Sequence, residues 1–168
     1  MKQKPDLLIA LGNFSDTIGF LKAAPRLNIP VYTGHAIADS HLPKWLGEGI
    51  HEHVRVLTAY PLTKDTEHAG NKLHLKLLSV YEPELRPTRW TFYGHAVAEL
   101  MVEVLRRSGR SLSRSIAIQA AENIKNWQGT LLPPIFLNTN SHLALTTLRV
   151  SQILDDRVNH LSDWIDGR

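Results

Sequence analysis

Residues 5–34 read PDLLIALGNFSDTIGFLKAAPRLNIPVYTG, and the fold is decided there. Residues 7–11 are an unbroken apolar run ending at Gly12, the pattern of a strand buried on both faces. GNFSD (12–16) follows, where Ser15 or Asp16 is placed to cap a helix through TIGFLKAAPRL (17–27). Ile18, Leu21 and Leu27 keep roughly helical spacing, and Pro25 must kink or end the helix. NIPVYTG (28–34) reads as a second strand. Strand, crossover helix and strand predict a parallel pair, because a parallel return needs a long connection.

The pattern continues outward. ADSHLPKWLGEG (38–49) reads as a short helix or loop, and HVRVLTAY (53–60) as a third strand. From about residue 67 the character changes. HAGNKLHLKLLSVY (68–81) is helical, and EPELRPTRW (82–90) is a proline-broken link. WTFYGHAVAELMVEVLRRSG (90–109) predicts a long helix ended by Gly109. Its apolar stripe is Phe92, Ala96, Val97, Leu100, Met101, Val104 and Leu105. SLSRSIAIQAAENIKNWQG (111–129) predicts another helix, capped by Ser111 or Ser113 and stopped at Gly129, with Ile116, Ala120, Ile124 and Trp127 inward. TLRVSQIL (147–154) and VNHLSDWI (158–165) predict a hairpin about the DDR turn.

Composition limits the function. At 168 residues with 43% apolar content, the chain can bury a core as one ordinary domain. No cysteine is present, which excludes disulfides, thiolate metal sites and cysteine nucleophiles. The net charge of +3 is scattered, and its densest run, RRSGRSLSR (106–114), suits a helix C-terminus rather than a nucleic-acid footprint. The apolar run near the N-terminus is too short for a signal peptide, and no window approaches a membrane span. As written, the chain would stay in the cytoplasm.

Nine histidines invite a search for chemistry. His51 and His53 flank Glu52 and would share a face if they lay on a strand, but no third metal ligand is near in sequence. His95, with Glu99 four residues on, falls on the polar edge of the long helix and reads as a solvated or capped histidine. GNFSD is more informative, because open α/β sheets bind ligands where such loops leave the strands. Asn13 and Ser15 offer hydrogen bonds and Phe14 an apolar surface. Free amides at a helix N-terminus favour an anion. A plain capping turn fits equally well. YTGHAIAD (32–39) holds the same place after the second strand, where Tyr32, Thr33 and His35 could reach the same crevice.

In order and spacing these pieces resemble the type I periplasmic solute-binding proteins of ABC transporters, in particular the leucine/isoleucine/valine-binding family. The resemblance runs from about residue 5 to residue 165. It is carried by the opening stretch, by HVRVLTAYPL (53–62), by the helices of 90–109 and 111–129, and by SHLALTTLRVSQILDDRV (141–158). It implies an α/β lobe with a Rossmann-like parallel sheet, extra C-terminal helices and a terminal β-hairpin, together an incomplete two-lobe fold. Residues 1–62 would be the α/β part of a second lobe, 63–130 the closing helices of a first lobe, and 131–168 the hairpin and hinge. The chain would then be the C-terminal half of such a protein: a truncated product, a fragment or an excised piece.

The implied function is capture of a branched-chain amino acid, or a related amide or carboxylate, between two lobes for delivery to an ABC permease. It implies no chemistry, no cofactor and no metal, and a periplasmic location. The ligand contacts would be Asn13, Phe14, Ser15, Tyr32, Gly34, His35, Ala36 and, at the hinge, Tyr60. Where the amino-acid binders carry an acid in the second loop, this chain has His35 or Ala36, with Asp39 the nearest acid, so other solutes fit as well. A ligand-sensing receptor module of the same fold and a small α/β hydrolase pairing Ser15 with His35 are the competing readings. A bare apolar face left by a missing lobe would favour a homodimer.

Overall fold

The computed structural model of the protein describes residues 5–23, 28–37, 41–47, 51–154 and 157–167. The strands are β1 (Leu8–Ala10), β2 (Val31–Thr33), β3 (Val54–Thr58), β4 (Thr147–Leu154), β5 (Arg157–His160) and β6 (Ile165–Asp166). The helices are α1 (Phe14–Ala23), α2 (Leu42–Leu46), α3 (Ala69–Tyr81), α4 (Arg89–Ser108) and α5 (Arg114–Glu122). Short 3₁₀ turns cover His35–Ile37 and His51–His53. The chain divides into two compact units. One takes the described residues up to Thr58, with Leu62–Asp65 and Leu148–Ile165; the other takes Ala59–Pro61, Thr66–Thr147 and the residues from Asp166.

In the first unit β1, β2 and β3 run parallel, as their spacing predicts. β4 pairs antiparallel with β3, and β5 with β4, which makes the expected hairpin; β6 also pairs with β4. The second hairpin strand is shorter than predicted, ending at His160. The register places Leu8 beside Val31 and Val31 beside Val54, so one face of the sheet presents an apolar row. Ile18 and Leu21 of α1 and Leu42 and Leu46 of α2 join Val31, Val54, Val56 and Ile153 in that core. β3 alternates cleanly, with Val54, Val56 and Thr58 buried and Arg55 and Leu57 only half-buried.

β1 departs from the sequence reading. It is the edge strand, and only the face of Leu8 and Ala10 packs on the core. Leu7, Ile9 and Leu11 share the opposite face and remain 47%, 66% and 74% exposed. The run is apolar on both sides, but only one side is covered. The α1 cap also differs. The helix starts at Phe14, and Asn13 caps it: the Asn13 Oδ1 accepts the Asp16 backbone N–H at 2.9 Å. The predicted break at Pro25 falls outside the described residues, as does most of the DDR turn.

The second unit is built on α3, α4 and α5. Thr88 caps α4 through a reciprocal pair with Thr91, each side chain accepting the other's backbone N–H. Gly109, with φ of 70°, ends it as the sequence predicts. The predicted stripe splits in two. Phe92, Ala96 and Val104 are buried, whereas Val97, Met101 and Leu105 are exposed together with Trp90 and Tyr93. Adjacent residues on a helix point about 100° apart, so pairs such as 96/97 and 104/105 cannot face one layer. At the C-terminal turn Glu103 binds both Arg106 and Arg107. The Arg107 and Arg106 guanidiniums hold its carboxyl below the usual carboxylate range.

Ser113 caps α5, which ends at Glu122 rather than near Gly129. Beyond it the backbone turns to its own later segment: the Ile135 N–H donates to the Trp127 carbonyl at 2.8 Å, and the Leu137 N–H to that of Ile124 at 2.9 Å. Ile124 and Ile135, both fully buried, then meet Val104, Ala120 and Leu137. Cross-strand hydrogen bonding wins over another helical turn there, because it encloses two isoleucines. Among the described residues no helix is long and apolar enough to cross a membrane.

Gly70 and Gly94 test this packing. A Cβ at Gly70 would stand 2.1 Å from the Thr130 carbonyl oxygen, while one at Gly94, inside α4, would meet nothing. Gly70→Ala should destabilise by about 1–3 kcal/mol through overpacking. Gly94→Ala should stabilise by about 0.5–1 kcal/mol. Urea denaturation of the two variants, compared with the parent, measures both.

Candidate functional site

Because β1 and β2 are parallel, the loops that leave them emerge at the same edge of the sheet. Residues 11–16 and 34–37 are therefore neighbours: a Cβ at Gly34 would lie 3.6 Å from the Leu11 side chain. This brings together Asn13, Phe14, Ser15, Gly34, His35 and Ala36, with Tyr32 on β2 beside Ile9 of β1. His35 and Ala36 open the 3₁₀ turn, and the His35 side chain is exposed.

The side chains are not equally available. Asn13 is engaged in capping: its Nδ2 donates to Asp16 Oδ2 at 2.7 Å, besides the bond its Oδ1 accepts. Phe14 is half-buried against the core and meets Trp45 edge-on, with ring centroids 4.7 Å apart. Ser15 is exposed on the first turn of α1. That turn also carries Asp16, which already supplies the negative charge a helix N-terminus favours. A ligand carboxylate at this point would meet repulsion, contrary to the anion-binding expectation; an ammonium or amide N–H would be welcomed.

A groove of about 280 Å³ runs between the end of β1 and α1, lined by Ile9, Ala10, Leu11, Gly12, Asp16, Thr17 and Phe20. Its walls are mostly apolar, with Asp16 as the one charge among the described residues. Gly12 and Asp16 belong to GNFSD, whereas Ile9, Ala10, Leu11, Thr17 and Phe20 carry no motif signal. The signal that could have found them is the period-two exposure of Ile9 and Leu11, hidden in a run that is apolar throughout.

Tyr60 lies apart from this cluster in the chain's organisation. It belongs to the second unit, where it is buried with Phe92, Ala96, Leu131 and Leu132. Burial pushes its hydroxyl up to about 12; Arg89 opposes the shift and Tyr93 adds to it. His51 and His53 occupy a 3₁₀ turn, not a strand, so the shared face assumed for metal binding does not arise. Among the described residues no group of three histidine, aspartate or glutamate side chains could hold a metal ion. Asp39 lies outside the described residues.

His95 is also unlike its sequence reading. Its side chain is only 12% exposed, and its Nε2 lies 3.6 Å from Glu99 Oε1. Its Nδ1 lies 3.1 Å from that of His74, a residue that sequence reasoning passed over because leucines surround it. Glu99 lies beside it, as the i,i+4 spacing places it, and of the solvated or capped alternatives the solvated one does not hold.

No protein-family model matches the chain, and no curated protein matches it by sequence. Solved structures do. A possible leucine/isoleucine/valine-binding protein from Rhodopirellula baltica superposes with a TM-score of 0.76 at 20% identity, over 94% of this chain and 43% of that one. The fold is that of a type I solute-binding protein, in part. A branched-chain amino acid ABC transporter protein from Thermus thermophilus with bound valine gives 0.76 at 16% identity, over 95% and 46%. A fatty acid ABC transporter substrate-binding protein from Thermomonospora curvata gives 0.78 at 13% identity, over 97% and 44%. The chain thus spans less than half the length of the structures it matches.

Two measurements follow from this geometry. Asn13→Ala removes the α1 cap and should cost about 0.5–2 kcal/mol in a denaturation experiment. For Tyr60 the folded pKa lies above the unfolded value near 10, so its contribution to stability is complete below pH 10 and lost as pH rises toward 12. The Tyr60 phenolate absorbance should emerge only near pH 12. In Tyr60→Phe that late step should vanish.

Proposed function

We propose that this chain forms part of the solute-binding component of an ABC importer and performs no chemistry on its ligand. The supporting observation is the pair of loops at the carboxyl ends of β1 and β2, set side by side above an apolar groove. Crevices of this kind are where open α/β sheets take ligands. The structural neighbours agree with that reading in kind, since binding valine and binding a fatty acid both require an apolar wall and a few polar groups.

The solute is a small molecule with an apolar body and an amide or ammonium group directed at Asp16, such as a branched-chain amino acid. Ile9, Leu11 and Phe20 take the apolar part, while Asp16 and Ser15 meet donors on the head group. Gly34, His35 and Ala36 close the crevice from the second loop, with Tyr32 on the strand beside it. The remainder of the binding cleft comes from the part of the fold that this chain does not span, so affinity for the chain on its own is weak. A permease and a periplasmic setting belong to the same proposal. So does association with a second copy through the exposed residues of α4.

Amide chemical shifts test it directly. Titration with millimolar leucine, isoleucine or valine, and separately with a medium-chain fatty acid, should move the resonances of residues 9–17 and 34–37. Shifts scattered elsewhere, or none with any of these solutes, would remove the proposal. Leu11→Trp, which adds bulk at an exposed residue of the groove wall, should abolish the shifts and leave the rest of the spectrum in place.

A further inference from the structure

The second unit contains a line of hydrogen bonds whose proton positions can be deduced. The Thr91 hydroxyl donates to the Thr88 carbonyl at 2.9 Å and accepts the Thr88 N–H at 3.0 Å. Its single hydrogen is therefore spent. The contact of 2.9 Å between Thr91 Oγ1 and His74 Nε2 must be donated by the ring, so His74 carries its proton on Nε2. The bare His74 Nδ1 is then an acceptor. Across 3.1 Å the His95 Nδ1–H donates to it.

That assignment leaves His95 Nε2 facing Glu99 Oε1 at 3.6 Å, where a proton makes an ion pair. Glu99 is held in turn by Thr130: Oε2 accepts the Thr130 N–H at 2.9 Å, and Oε1 its hydroxyl at 2.6 Å. The rings of His74 and His95 stack with centroids 5.2 Å apart, and the other contact of His74 is the Phe92 ring at 4.3 Å. His74 is 3% exposed. From α4 the charged group that meets the pair is Glu99; the 129–130 loop presents the neutral Thr130, and α3 presents His74 itself.

We propose that this line is an acid-sensitive latch joining α3, α4 and the loop at Thr130, closed while His74 Nδ1 is bare and opened when a proton reaches it. In the closed state the His95 Nδ1–H has its acceptor in His74 Nδ1. A proton on His74 Nδ1 would point two N–H groups at each other across that contact. Burial, then the charge of His95, lowers the His74 pKa. A depressed histidine contributes stability that is present above its unfolded pKa near 6.5 and lost as pH falls below it. His142, paired with Glu122 at 2.9 Å in the same unit, has a carboxylate partner and serves as the control.

The test is imidazole ¹⁵N spectroscopy with amide hydrogen exchange on the full chain between pH 7.5 and 4.5. His74 should show the neutral Nε2–H form at pH 7 and titrate below pH 6.5. After correction for intrinsic exchange, protection of the Thr130 amide and of the facing turns of α3 and α4 should fall at least tenfold over the same interval. His142→Gln should leave this behaviour intact. His74→Gln, which can still donate to Thr91 and accept from His95, should remain folded and lose the acid response. Independent titration of both rings near pH 6.5, or protection at Thr130 unchanged across the range in the parent chain, overturns the latch.

Discussion

The first unit depends on the register of its three parallel strands. Leu8, Val31 and Val54 fall in one row and Ala10, Thr33 and Val56 in the next, and α1 and α2 settle on that surface through Ile18, Leu21, Leu42 and Leu46. A slip of one residue in β2 would turn Tyr32 inward and carry Val31 and Thr33 to the open face. The same parallel order fixes the function-bearing edge. Strands that point the same way release their loops at the same end, so the crevice is a consequence of the pairing and needs no separate construction.

The second unit solves a different problem, which is how to keep polar groups inside apolar layers. Three of them show how geometry chooses the partner. Glu103 is gripped by two arginines one turn further along α4. Glu99 spends both oxygens on Thr130, and His74 spends both nitrogens on Thr91 and His95. Unpaired, any of these would cost more than the layer around it could comfortably supply. The result is a helical unit whose arrangement is specified by directional bonds as well as by packing.

Much of the fold was legible from local patterns. The strand–helix–strand opening, the long helix to Gly109 and the terminal hairpin all rest on periodicity and caps that act within a few residues. The failures share a cause. Asn13 instead of Ser15 or Asp16 as the α1 cap, Glu122 instead of Gly129 as the end of α5, and the split stripe of α4 each depend on what the rest of the chain brings alongside. His95 is the clearest case, since its neighbour at 21 residues' distance in the chain, His74, sits in a leucine-rich helix that gives no sign of polar company. In the candidate site, the loops were found by their position after strands. The groove wall was not, because a run apolar on both faces conceals which face will be covered.

The first unit is assembled from three separate lengths of chain, and residues 66–147 of the second unit intervene before β4 is reached. Val56 on β3 pairs with Ser151, so the sheet waits for a strand made nearly a hundred residues later. On a ribosome, α3, α4 and α5 emerge complete while β3 still has one edge bare. The nested helices therefore have time to fold first, and the sheet that brackets them in the chain closes last. Until then the growing polypeptide carries an unpaired strand edge, and shielding that edge is the demand this topology places on the cell that makes it.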